Sequence, residues 1–315
     1  MEDKRNPALV EKLRSFVEAY NASDKEKGGK GEGGQAFVGK QIGYSGSVIS
    51  LYLNGTYATP HKVEEKLAPW LSMMSESKSN FTTADYVPTS ISSKIYQSIR
   101  NAHLTATMII ERGDAGVGKT KTAIKYQEDY PTNTVLITAG PCRHTPREIL
   151  RELCRKLGLN GGSNADMFEA LACVLVGRKL LIFDEAQHLT ITAIETLRSL
   201  WDLPETDFGM VFIGNHSIVG NIHGRNAEQY AQLNNRVIRR PPRLTKDTKL
   251  ADIKLLFPDI AEDKRATALL LNIAQSSSAI RYAAVVYGTA YRNNNITYEG
   301  LLAAAKENAT ELTYH

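Results

Sequence analysis

The sequence predicts an α/β protein: a parallel sheet covered by helices on both faces, with a small all-α module before it and a helical lid after it. Three observations carry that expectation. Short apolar runs such as Thr134–Thr138 and Leu180–Phe183 alternate with helical patterns between residues 89 and 245, the mark of strands buried on both faces. Residues 35–55 read as two short helices joined through a glycine turn. From Lys246 onward the strand-like runs stop and helical segments follow at Lys264–Gln275, Ala279–Tyr291 and Thr297–Glu311.

Composition sets wide bounds. A chain of 315 residues can hold one large domain and a smaller one. No apolar run is long enough to span a bilayer. The charged start Met1-Glu2-Asp3-Lys4-Arg5, with no apolar segment behind it, predicts no secretory leader and a cytoplasmic protein. Cys142, Cys154 and Cys173 are odd in number and lack CxxC spacing, which argues against a disulfide frame or a zinc site. The net charge of +4 permits nucleic-acid binding without arguing for it. His103, His144, His188, His216 and His223 show no paired metal spacing and read as structural or surface residues.

In chain order, Asn6 to Tyr20 carries Leu9, Val10, Leu13, Phe16 and Val17 at helical spacing. Residues 21–34 then break the periodicity, with a polar Gly/Lys/Glu insert at 24–34 expected to be flexible. Order returns in a short helix at Gln35–Ile42. Gly43-Tyr44 is the turn, and Ser45 caps a second helix that stops at Gly55. Val63–Met74 supplies a supporting helix. Residues 1–74 thus form a front domain on the helix-turn-helix plan, and Ile42–Gly55 resembles that element in Cro/repressor-type proteins. In that plan the exposed start of the second helix enters the major groove. Here that places Ser45, Ser47 and Ser50 at the bases and Tyr44, Tyr52 and Asn54 near phosphates. These side chains are short and uncharged, so strong base discrimination is not expected. The alternative is a helical module that docks on protein. The Ser/Thr/Asn/Lys-rich run from Ser72 to Pro88 reads as a connector, with the linker placed at 75–88.

The α/β segment, 89–245, opens with a helix at Ile91–Ala102 and a strand at 107–111. Gly113-Asp114-Ala115-Gly116-Val117-Gly118-Lys119-Thr120 follows and matches the phosphate-binding pattern Gly-x4-Gly-Lys-Ser/Thr in full. Glycines let backbone N–H groups turn toward phosphates, and the helix start adds partial positive charge. Lys119 would reach the β- and γ-phosphates, Thr120 would ligate Mg²⁺, and Lys121, opening the outgoing helix, is counted with the loop as nucleotide-binding. Thr145-Pro146-Arg147-Glu148 reads as a capping box with proline at the first helical position. Leu180–Phe183 ends in Asp184-Glu185, where Asp184 would hold Mg²⁺ through water and Glu185 would polarise the attacking water. Asn215, after the strand Gly209–Gly214, suits a γ-phosphate sensor, or else a capping Asn in a turn. Arg236, Arg239 and Arg240 offer an arginine to a neighbour's γ-phosphate, or form a solvated basic face. Arg281, at a helix start in the segment 246–315, would reach the nucleotide from the lid side.

Together these motifs resemble the AAA+ ATPases. With the Cro-like front module, and with Ile-Phe-Asp-Glu-Ala-Gln-His-Leu and Phe-Ile-Gly-Asn-His, the chain resembles the phage Mu B transposition protein family from about Gln35 to its end. It departs from that family at the insert near 24–34 and around Gly220–Asn235. The resemblance implies ATP and Mg²⁺ as cofactors, a homo-oligomeric filament on duplex target DNA and a transposase partner. Arg236 would then complete the next protomer's site, and hydrolysis would loosen both the seam and the grip on DNA. Phosphate contacts would dominate. Arg143, Thr145 and Arg147 are the candidates for them, or else an ordinary solvated helix start. Two rival readings stand beside this one: an AAA+ helicase loader or replication initiator, and an ATP-gated repressor with negligible turnover.

Overall fold

The computed structural model describes residues 5–26, 33–79, 86–218, 236–277 and 279–309. The chain divides into two compact units, residues 1–81 and 82–315.

The first unit holds α1 (Pro7–Glu26), α2 (Gly34–Ile42), α3 (Gly46–Leu53) and α4 (Pro60–Ser79). Gly43, at φ 78°, stops α2 in the left-handed region. Ser45 then turns extended, and its side chain accepts the Val48 N–H to start α3. Leu13, Val38, Ile49, Tyr52 and Leu67 meet in the core between these helices.

Three expectations change here. α1 continues to Glu26, so residues 21–26 are helical. The helix that Leu13 and Val17 anchor in the core continues through these residues, and Asn21 Oδ1 accepts the Gly34 N–H at 2.9 Å across the insert. The rest of the insert, 27–32, lies outside the described residues. α4 runs on through Ser79, past the start of the Ser/Lys-rich connector. Tyr52 is not at the surface: it is fully buried, and its hydroxyl donates to Glu64 Oε1 at 2.8 Å. A phosphate contact from Tyr52 is therefore ruled out, because α3 turns it inward with Ile49 and Leu53 at i, i+3 and i+4 spacing.

The second unit opens with α5 (Ser90–Thr105), capped by Thr89. Then come β1 (Met108–Arg112), α6 (Lys119–Asp129), β2 (Thr134–Thr138), α7 (Pro146–Lys156) and α8 (Asn164–Val174). β3 (Lys179–Asp184), α9 (Ile191–Trp201), β4 (Phe208–Gly214) and β5 (Val237–Arg239) complete the sheet segment. All pairings are parallel, in the order β2-β3-β4-β1-β5. Apolar side chains fill both faces, Ile110, Phe183 and Phe212 on one and Ile109, Ile182 and Val211 on the other. β5 was not expected. It is three residues long with only Val237 buried, so it lacks the apolar run that marks an inner strand.

Helices α10 (Leu250–Leu256), α11 (Lys264–Gln275), α12 (Ala279–Arg292) and α13 (Tyr298–Ala309) make the lid. Phe257 stacks on Tyr287 with ring centroids 4.8 Å apart. Among the described residues no helix is long and apolar enough to cross a membrane.

Candidate nucleotide-binding and hydrolysis site

The register of the sheet brings the motifs to one edge. Arg112 of β1 pairs with Gly214 of β4, and Phe183 of β3 with Phe212. The loop from Gly113, the segment after β4 and the Asp184-Glu185 end of β3 therefore leave the sheet side by side, on its carboxyl edge. That is where open parallel sheets take their ligands.

The loop is held from several sides. Gly116 and Gly118 have φ of 78° and 96°, and a Cβ at Gly116 would come within 2.9 Å of the Ala279 Cβ. Glycine is thus needed there twice over, for the left-handed turn and for the approach of the lid. Lys119 Nζ donates to the carbonyls of Gly113 and Asp114 at 2.8 and 2.6 Å, so the ammonium spans the loop from within. Burial pushes Lys119 below its usual value, against the pull of the Glu185 and Asp184 carboxylates. Thr120 Oγ1 donates to Asp184 Oδ2 at 2.7 Å. Burial pushes Asp184 up, with the Thr120 bond opposing it. This pair of hard oxygens is the donor set that suits Mg²⁺ carried with a nucleotide phosphate.

Glu185 follows in the left-handed region, φ 52°, and opens a short 3₁₀ turn over Ala186–His188. Gln187 Nε2 donates to Glu185 Oε2 at 2.5 Å, and Gln187 Oε1 accepts the Asn215 N–H at 3.3 Å. Asn215 lies at this edge as expected. Its Oδ1 accepts from the N–H and hydroxyl of Ser217 at 2.9 and 2.6 Å, so it also caps the turn it begins. Arg281 stands over the loop, its Cβ 3.4 Å from where a Cβ on Gly116 would lie. Lys121 is exposed on α6.

A second set of residues joins the loop to the chain beyond β5, and pattern alone did not group them. Glu111, on β1, is fully buried and ion-paired with Arg243. Burial raises the Glu111 carboxyl while the guanidinium opposes the rise. The Arg243 N–H donates to Arg112 O at 2.8 Å, and its carbonyl accepts the Asp114 N–H at 2.9 Å. Asp114 then accepts the Thr245 N–H at 2.7 Å and faces His216 Nε2 at 2.8 Å. Burial alone would raise Asp114, but these two partners hold it below the usual carboxylate range. The Thr245 hydroxyl donates to Gln275 O at 3.2 Å. The phosphate loop is thereby stitched to the chain that leads into the lid. A charged residue inside an apolar strand was the available hint, and His216 passed for an ordinary surface histidine.

The remaining candidates sit elsewhere. Arg236 precedes β5, whose Val237 pairs with Met108 at the start of β1. It is therefore on the opposite edge of the sheet, on the order of 20 Å from the loop at the rise of a strand, and it pairs with Asp202. Arg239 is exposed on β5, and the Arg240 N–H donates to Ile110 O at 3.1 Å. Arg143 lies 3.9 Å from Glu152, and its Nη1 donates to Thr138 O at 3.4 Å. Thr145 caps α7 by accepting the Glu148 N–H at 3.4 Å, while Glu148 returns the bond to the His144 and Thr145 N–H groups. Arg147 is exposed beside that cap. In the first unit Ser45 caps α3, Ser47 is exposed and Ser50 is half-buried.

Residues 102–221 match the AAA domain family. The chain is 31% identical over 275 residues to the ATP-dependent target DNA activator B of Escherichia phage Mu, covering 85% of this chain and 83% of that one. It is 29% identical over 265 residues to the Mu-like prophage FluMu DNA transposition protein B of Haemophilus influenzae, covering 80% and 90%. Among solved structures, the Aeropyrum pernix ORC2 protein superposes with a TM-score of 0.50 at 16% identity, over 69% of this chain and 66% of that one, which bears on the fold. The chain is an ATPase with an AAA domain, and it belongs to the Mu-type transposition protein B family.

Proposed function

We propose that this ATPase assembles on duplex DNA in its ATP-bound form, marks that DNA as a transposition target and stimulates a transposase, and that hydrolysis releases it. One observation carries the reading. The nucleotide residues gather on the carboxyl edge of the sheet, whereas Arg236 stands at the amino edge. An arginine so placed cannot reach its own nucleotide, but it can complete the site of a second copy. The names of the relatives point to ATP-dependent work on target DNA, and a cytoplasmic location fits that work.

In this reading Lys119 would leave the loop carbonyls for the β- and γ-phosphates, and Thr120, with Asp184 acting through water, would hold Mg²⁺, which would offset phosphate charge. Glu185 takes a proton from the attacking water. Asn215 senses the γ-phosphate, and Arg281 approaches from the lid. Arg236 exchanges Asp202 for the neighbour's γ-phosphate, so loss of that phosphate opens the seam. DNA is held through phosphates by Arg143 and Arg147, with the Thr145 hydroxyl already spent on its helix cap. Exposed Ser47, rather than Tyr52, is what α3 offers to a groove.

The test is Arg236→Ala. It should leave ATP affinity of the single protomer within about twofold and lower DNA-stimulated hydrolysis by about a thousandfold. Mixing it with Lys119→Ala protein should restore part of the hydrolysis, because the intact arginine of a Lys119→Ala copy can complete the intact loop of an Arg236→Ala neighbour. Full turnover by Arg236→Ala alone would refute the shared site.

A further inference from the structure

We infer that Gln187 is a positioning residue for hydrolysis, tying the water-activating carboxylate of Glu185 to the turn that carries Asn215. The inference rests on the assignment of Glu185 as the group that activates water. Gln187 touches neither nucleotide nor water in this scheme; it acts through its two neighbours.

The geometry is specific. The Gln187 amide uses both ends, Nε2 donating to Glu185 Oε2 at 2.5 Å and Oε1 accepting the Asn215 N–H at 3.3 Å. Gly214 is what admits it: a Cβ there would lie 2.6 Å from Gln187 Oε1 and 3.4 Å from the Gln187 backbone nitrogen. Any larger residue would push the amide out of the gap between β3 and β4. Glu185 itself is exposed and in the left-handed region, so its own backbone and packing leave the carboxylate with few restraints. Gln187, half-buried on the 3₁₀ turn just beyond it, supplies one. Because the same side chain holds the Asn215 backbone, the carboxylate and the sensor amide are set relative to each other, not merely to the sheet. Hydrolysis depends on that spacing, since a misplaced base costs rate even when binding is intact.

The experiment compares Gln187→Met, which keeps the shape and loses both bonds, with Gln187→Glu, which keeps the acceptor for Asn215 but sets a second carboxylate against Glu185. ATP affinity and steady-state hydrolysis are measured on the full chain with duplex DNA. Gln187→Met should lower kcat about tenfold, the effect of one lost bond to a charged group, with KM and ATP affinity within about twofold. Gln187→Glu should fall further. Unchanged kcat in both variants would overturn the inference, and so would equal losses of kcat and ATP affinity, which mark a prop for the fold. Glu185→Gln serves as the separate control. If it turns over normally, the assignment of Glu185 fails whatever Gln187 does; if it is dead while both Gln187 variants are normal, only the positioning role fails.

Discussion

The carboxyl edge of the sheet and helix α3 of the front unit both carry polar residues at motif spacing, yet they use them differently. At the sheet edge, side chains reach across to groups from other segments: Thr120 to Asp184, Gln187 to the Asn215 N–H, Asp114 to the Thr245 N–H and His216. In α3 they turn back to build the fold. Ser45 caps its own helix, the Tyr44 hydroxyl donates to Lys62 O at 3.1 Å, and Tyr52 lies in the core. A motif whose chemistry needs particular atoms is legible as chemistry, whereas a motif defined by helix spacing is legible mainly as packing.

That contrast is open to direct attack, beginning where the effect should be largest. Lys119→Ala should weaken ATP binding about a thousandfold or more, the scale of two lost bonds between an ammonium and phosphate. Titration with a fluorescent ATP analogue reads this, and near-normal affinity would mean the loop is a turn and nothing more. Arg243→Ala should come next, unfolding the second unit more easily by about 3–5 kcal/mol because it strands buried Glu111 without its partner. Denaturant melts measure it, and a loss under 1 kcal/mol would show that water replaces the guanidinium. In the front unit Tyr52→Phe should cost about 1–2 kcal/mol through the hydrogen bond to Glu64 and leave DNA affinity unchanged. A selective loss of DNA binding there would return Tyr52 to the interface.

The smallest effect sharpens the comparison at α7. The backbone N–H groups of His144 and Thr145 hold the Glu148 carboxyl down at about 2. A depressed carboxyl contributes stability above its unfolded value near 4.5, and that contribution is lost as pH falls from there toward 2. Wild type should therefore exceed Glu148→Gln in stability at neutral pH, with the gap closing over that window in thermal melts. A gap independent of pH would assign the box to shape alone.

Much of this was legible because local rules agreed. The phosphate loop, the capping box at Thr145 and the strands with continuous apolar runs appear where pattern places them. β5 escaped because a three-residue strand with only Val237 buried leaves no apolar run to detect. The Glu111–Arg243 pair joins residues 132 apart, and no spacing rule predicts a partner at such a distance. Tyr52 was legible from its phase with Ile49 and Leu53, which assigns it to the core; its hydroxyl is satisfied there by Glu64 and has no need of the surface.

If the phosphate reached by Lys119 and by the Arg236 of a second copy decides assembly on DNA, the size of the DNA complexes must follow the nucleotide. Sedimentation of the full chain with duplex DNA, in ATP, in ADP and without nucleotide, tests it most directly. Large complexes should form with ATP alone and shrink as salt rises through loss of phosphate contacts. Complexes of the same size in all three conditions would contradict it.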